Sequence, residues 1–290
     1  MSDGMQQPQP VPRSPRIRLI ATDIDGTLLD SENNLPPANR RVLEAALNAG
    51  VRLALVTARK QASTFAVAEL LQLPCACIAH NGARIWDWAG RELQHLVVEL
   101  DLAREVARFA ERHAIPLIMT IDEVNYYGAH YPWRIPPGQA DERRVASMEQ
   151  ALHTAPTRII VTGTQGVDAV CAAFGDAPDA VVVHRYYSRE GAMASAVLTH
   201  PQANKADALA TLVKEIGLQP AGVLALGDAE ADAGMLAWAG IGVAMGNAMP
   251  QARAAAHWIA PSHDDAGFAV AVRKFVLAQL EAMQRDPSVA

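Results

Sequence analysis

Three cysteines, Cys75, Cys77 and Cys171, are all that this 290-residue sequence contains. That is too few for a disulfide framework, and no CxxC pair or histidine cluster gives them the spacing of a zinc site. Cys75 and Cys77 alternate along LPCACIAH, as two small thiols on one face of a strand would, and a reducing cytoplasm is the expected setting. A surplus of positive charge is also missing: the formal net charge is -6, which leaves no electrostatic footprint for nucleic acid or an anionic membrane. Residues 233–252 carry no charge, yet glycines, an asparagine, a glutamine and a proline interrupt them, so a membrane span is not expected. No internal repeat is visible. Residues 1–15 are polar and proline-rich, lack an apolar segment, and are expected to form a disordered tail.

Half of the residues are hydrophobic and 19% are charged, an ordinary globular balance in a chain long enough for two domains. An apolar run over residues 16–23 reads as a buried parallel strand, and ANRRVLEAALNAG as a helix with an apolar stripe stopped by Gly50. VRLALVTAR and CACIAHNGA continue as strands, with a helix between them. This alternation predicts a right-handed parallel α/β sheet. Near residue 84 the pattern changes. A hairpin turning at Ala89-Gly90, an amphipathic helix, two short strands, a helix over DERRVASMEQALH and further strands predict an α+β unit. The parallel rhythm returns from about residue 203. The expected organisation is therefore a core of residues 16–83 and 193–290 split by an inserted domain of residues 84–192, with hinges near 82–85 and 192–203.

Ligands of open parallel sheets bind at the carboxyl ends of the strands. There the sequence sets Asp23-Ile24-Asp25-Gly26-Thr27, then Thr57, then Asp228, while Lys205 opens the helix before the last of these strands. Carboxylates crowded in this way repel one another unless a cation sits among them. Mg²⁺ suits them, because it takes hard oxygen ligands and binds carboxylates together with phosphate oxygens. Asp23 and Asp228 can hold it, with Asp232 one helical turn further on. A carboxylate beside a bound phosphate can be the nucleophile, and a second can serve as acid and base. The backbone N–H groups of Gly26 and Thr27 can meet the phosphate, and Lys205 can balance charge in the transition state. Alone, each residue has an ordinary structural reading: Asp228 caps a helix, Lys205 sits on a surface. Their order along the chain supports the chemical one.

DIDGTL, VTAR, the late lysine, GDAEAD and GVAMGNA together resemble the haloacid dehalogenase superfamily, in particular its Cof-type sugar-phosphate phosphatases. The resemblance spans about residues 16–285. It implies a Rossmann-like parallel-sheet core with an inserted α+β cap, and a Mg²⁺-dependent phosphatase acting on a small phosphorylated metabolite through an aspartyl-phosphate. It makes Asp23 the nucleophile and Asp25 the general acid and base, with Thr57 and Lys205 on the phosphate. Asp23, the backbone carbonyl of Asp25, Asp228 and Asp232 would form the metal site. Two positions depart from the family's pattern: Ala58 replaces a glycine and Ala231 an asparagine. A phosphomutase and a non-catalytic phosphate sensor are the competing functions. The oligomeric state is left open.

Overall fold

A computed structural model describes residues 16–135, 140–175, 179–187 and 193–285; the expected tail lies outside them. The chain starts with strands β1 (Leu19–Thr22), β2 (Arg52–Val56), β3 (Ala76–Ala79), β4 (Arg84–Trp86) and β5 (Glu92–His95). A second group follows: β6 (Leu117–Ile121), β7 (Val124–Tyr127), β8 (Glu142–Arg144), β9 (Arg158–Thr162), β10 (Val182–Tyr187) and β11 (Met193–Thr199). It closes with β12 (Val223–Gly227), β13 (Ile241–Ala244) and β14 (Trp258–Ile259). The first and last groups form one eight-stranded sheet, ordered β14-β13-β12-β1-β2-β3-β4-β5. From β14 to β3 it is parallel; β4 and β5 are antiparallel additions.

The central strands are apolar along their whole length because helices cover both faces. Ile20, Leu53, Leu55, Leu224 and Leu226 pack with helices Pro37–Asn48 and Gly267–Val272 on one side. Leu19, Ala21, Ala54, Val56, Val223 and Ala225 pack with helix Lys205–Glu215 on the other. The two sets alternate along each strand, as the two-residue period of a strand requires.

The middle group forms a separate six-stranded sheet, ordered β10-β11-β9-β6-β7-β8. Leu117, Met119, Ile121, Ile159, Val161, Ala196 and Leu198 turn toward helices Leu100–Arg112 and Thr164–Phe174 and form this unit's own core. The opposite face carries the residues between them. Cross-strand register aligns Tyr186 with Ser195, and Arg158 with Thr120, Asn125 and Glu142, on that polar face. It is this face that lies over the core.

Three expectations change. The hairpin of β4 and β5, assigned from sequence to the inserted unit, pairs with β3 and extends the core sheet, and β11, assigned to the core, belongs to the second sheet. The chain therefore changes sheets between His95 and Leu117 and again between Thr199 and Val223; residue 192 itself lies outside the described residues. In the segment expected to hinge at 82–85, a Cβ on Gly82 would lie 2.3 Å from the Asn204 carbonyl oxygen. Finally, DERRVASMEQALH is not one helix. Glu142–Arg144 forms β8 beside β7, and only Met148–Ala151 is helical. Local helix propensity yields there to strand pairing and to the Lys60 ammonium, which grips Asp141 and Glu142 from the core.

Candidate active site

Three neighbouring central strands deliver the expected residues to one place: Asp23 directly follows β1, Thr57 follows β2 and Asp228 follows β12. Asp23, only 5% exposed, donates its backbone N–H to the Leu226 carbonyl, which docks the end of β1 on β12. Its Oδ1 accepts a 2.8 Å hydrogen bond from Lys205 Nζ, and the same ammonium donates to Asp232 Oδ1 at 2.6 Å. Lys205 reaches inward because it is the first residue of its helix, whose N-cap Asn204 accepts from the Asp207 N–H at 2.8 Å. Asp232 is fully buried. Its Oδ2 accepts from the N–H groups of Asp228 and Ala229, at 3.0 and 2.9 Å, and so shapes the turn that presents Asp228. Gly227 makes room for it, since a Cβ there would sit 2.5 Å from the Asp232 Cβ.

Asp228 is held from the β1 side. Thr27 Oγ1 donates to its Oδ1 at 3.2 Å, and Asn247 Nδ2 donates both to its Oδ2 at 3.2 Å and to the Gly26 carbonyl at 2.9 Å. Gly26 has φ +70°, and a Cβ on it would lie 2.3 Å from Asp228 Oδ2. Both the left-handed backbone and the close approach demand glycine. Asp23, Asp228 and Asp232 each offer an oxygen within 4.8 Å of the others. Three carboxylates against one buried ammonium leave a net negative site, and burial with the neighbouring Asp232 pushes Asp228 up to about 7. Burial also pushes Asp23 up, opposed by Lys205, whose ammonium the two carboxylates keep protonated. Such a hard-oxygen cluster fits a divalent cation.

Asp25 turns the other way. Its carboxylate is half exposed and accepts from both Arg59 Nε, at 2.8 Å, and Arg59 Nη2. Arg59 follows Thr57, whose Oγ1 accepts from the Arg59 N–H at 3.1 Å. The cap grips this segment at successive points. Arg158 Nη1 donates to the Ala58 carbonyl at 2.9 Å, Lys60 pairs with Asp141 and Glu142, and the Gln61 N–H donates to Glu123 at 3.0 Å. Ala58 has no left-handed φ, so its backbone conformation does not call for the glycine that the family carries there.

Glu123 also accepts from His80 Nε2 at 3.0 Å and from Arg84 at 2.7 Å. Burial, with Arg158 and Arg84 nearby, lowers His80 to about 4, and burial likewise lowers His184 to about 4. An imidazole depressed in the folded state stays neutral where the unfolded chain takes up a proton. Its contribution is full above pH 6.5 and disappears as pH falls toward 4. We expect thermal melts to lose roughly 1–2 kcal/mol per histidine between pH 7 and 5, with His80→Asn and His184→Asn each flattening the profile.

A cavity of about 320 Å³ opens over these groups. Asp23, Asp25, Gly26, Thr57, Lys205 and Asp228 line it. Thr27 and Asp232 stand behind it and act on Asp228. Ala231 lines both this cavity and an adjoining one of about 300 Å³, bordered by His184 and Glu230. The larger cavity of about 530 Å³, near His113 and Gly163, contains none of the clustered carboxylates. Sequence reasoning did not place Arg59, Asn81, Asn247 or Tyr186 in the site, and it reads Asn81-Gly82 as a hinge turn rather than a ligand contact. Arg59 and Asn247 both follow strand ends, a signal that was available; Tyr186 reaches the site only because the cap lies over it.

A parallel α/β core with an inserted cap and a lysine-pinned aspartate at the end of its first strand defines a hydrolase class. The profile of the haloacid dehalogenase-like hydrolases matches residues 20–272, and the chain belongs to that family. Among curated relatives, the 5-amino-6-(5-phospho-D-ribitylamino)uracil phosphatase YcsE of Bacillus subtilis is 26% identical, over 90% of this chain and 96% of that protein. The chloroplastic endoribonuclease YBEY of Arabidopsis thaliana is 24% identical over 90% of this chain, but the chain spans only 47% of that protein. A solved haloacid dehalogenase-like hydrolase from B. subtilis superposes with a TM-score of 0.78 at 22% identity, covering 90% of this chain and 100% of that one. Among the described residues no helix is long and apolar enough to cross a membrane.

Proposed function

We propose that this chain is a Mg²⁺-dependent phosphatase that hydrolyses a small phosphorylated metabolite through an aspartyl-phosphate on Asp23. The observation that carries the reading is Asp23 itself, held at the end of β1 by Lys205 and facing a cavity shared with Asp25, Thr57 and Asp228. Asp23, Asp228 and the Asp25 carbonyl would hold the cation, with Asp232 supporting Asp228. When bound, the ion would neutralise the phosphate and bring it within reach of a carboxylate that would otherwise repel it. Lys205 keeps one Asp23 oxygen fixed, which aims the other. Attack by Asp23 on phosphorus forms the acyl phosphate, and the departing oxygen takes a proton from Asp25. Asp25 must first leave Arg59 and become protonated. Afterwards it removes a proton from the water that attacks phosphorus and frees Asp23.

The relation to a B. subtilis phosphatase supports a phosphate monoester as substrate. A phosphomutase would need a cap cation for the far end of a bisphosphate, whereas among the described residues the cap side chain lining the catalytic cavity is the neutral Tyr186, and the nearby Arg158 is engaged by the Ala58 carbonyl. A pure sensor would not need Asp25 beside Asp23 and Lys205. Hydrolysis of nitrophenyl phosphate should require Mg²⁺ and stop with EDTA. Undiminished turnover in metal-free buffer would remove the metal from this reading, and no turnover of any phosphate ester would remove the reading itself.

A further inference from the structure

One core residue and one cap residue meet inside the catalytic cavity without a role in the chemistry just described. Asn81 is 1% exposed and lines the cavity, as does Tyr186. Asn81 Nδ2 donates to the Tyr186 hydroxyl at 2.7 Å, while Asn81 Oδ1, buried, has no hydrogen-bond partner among the described residues. A buried amide oxygen left this way is costly unless something supplies its donor.

The backbone that carries Asn81 is held in place at some expense. His80, Asn81 and Gly82 have φ of +52°, +56° and +100°, three left-handed residues in succession. The Asn81 N–H donates to the Thr57 carbonyl at 3.0 Å and the His80 N–H to the Arg59 carbonyl at 2.9 Å, so the turn is laced to the segment that presents Thr57 and Arg59. Gly82 is wedged against the Asn204 carbonyl on the other side, one residue before Lys205. Strain of this kind persists where surrounding contacts over-determine it, and it gathers at functional sites. It places one amide between the phosphate-side loop and the lysine.

Tyr186 comes from β10, on the polar face of the cap sheet. Burial pushes its phenol up, so it keeps its proton. With Asn81 Nδ2 donating to its oxygen, the phenol O–H is free to donate elsewhere, and Asn81 Oδ1 is free to accept. If the amide is turned over, the free groups become an N–H of Asn81 and the phenol oxygen. Either orientation leaves the pair at least one donor and one acceptor, and neither residue carries charge.

We propose that Asn81 and Tyr186 are the specificity-determining contacts for the leaving group, which they recognise by a neutral group that both donates and accepts, a hydroxyl or amide close to the ester oxygen. This rests on the phosphatase reading. A leaving group that is plain hydrocarbon would strand both polar groups, and a site built to pair with a hydroxyl discriminates strongly against the analogue lacking it.

The test compares kcat/KM for matched esters: 2-hydroxyethyl phosphate against ethyl phosphate, and glycerol 1-phosphate against propyl phosphate, in the wild type, Tyr186→Phe and Asn81→Gly. Glycine tolerates the left-handed backbone, and Tyr186→Phe keeps the ring, so both variants should fold. The wild type should favour the hydroxylated ester of each pair by about tenfold or more, and each variant should shrink that ratio by about fivefold or more. No preference in the wild type, or an unchanged ratio in Tyr186→Phe, would overturn the inference. So would an equal loss on all esters, which marks the pair as merely holding the cap. A wild type inactive on every ester, nitrophenyl phosphate included, would instead overturn the phosphatase reading, and the inference with it.

Discussion

The Asp23→Asn enzyme should lose on the order of 10⁴-fold or more in turnover while keeping its fold. An amide cannot supply the attacking carboxylate, so neither product nor phospho-enzyme should form. The fold survives because Lys205 keeps its 2.6 Å bond to Asp232, and the substitution removes one of three crowded acids. Asp25→Asn should fail at a different point. Its nucleophile remains, while the proton donor for the leaving oxygen and the base for water are gone. Nitrophenolate leaves with little protonation, so Asp23 can still be phosphorylated and label should accumulate on the protein. Rapid quench with labelled nitrophenyl phosphate distinguishes the two. Normal turnover of Asp23→Asn, or label on another residue, would refute the assignment.

Lys205→Met should be costly in stability as well as in rate. The ammonium is 3% exposed and sits between Asp23 and Asp232, themselves buried. Removing it leaves two carboxylates without their cation, a loss of about 3–5 kcal/mol for a broken buried pair. The deficit has a definite pH dependence. Burial already raises the Asp23 carboxyl and the lysine opposes that rise, so without the lysine folding favours the protonated form of Asp23. The variant should therefore recover part of its stability as pH falls from 8 toward 5. Urea denaturation at both ends of that range measures this, and a deficit that stays constant or grows on acidification would contradict the pairing. Added Mg²⁺ should narrow the deficit if it occupies the same cluster.

These outcomes concern residues that could be selected before any coordinates were known. Asp23, Thr57 and Asp228 stand at the ends of apolar runs whose period declares buried parallel strands, and the strand-end rule marks them together. Gly26 was legible as part of a turn, although its second reason, the 2.3 Å approach of Asp228, was not. Thr27 and Asp232 were expected at the phosphate and the metal. Asp232 does stand in the carboxylate cluster, and the side chains of both also bear on Asp228, one through a hydroxyl and the other through two backbone N–H groups. Nothing in residue spacing distinguishes a side chain that faces the cavity from one that braces its neighbour.

What the sequence determined by itself is the parallel core, the existence of an inserted α+β unit and the central acids with their lysine. Each is written in local terms: hydrophobic period, turn residues, and charged groups that would be costly to bury without partners. Where the insert begins and ends was decided by tertiary structure, because the hairpin of β4 and β5 has no local signal for which sheet it joins. The same holds for β8, drawn from a helical sequence into a strand by its pairing with β7 and by Lys60. Arg59 on Asp25, Arg158 on the Ala58 carbonyl and Tyr186 on Asn81 complete the site. The last two join residues 100 and 105 positions apart, so they depend on how one sheet's polar face lies over the other sheet's strand ends. Those contacts follow from the packing of whole surfaces, which no local pattern encodes.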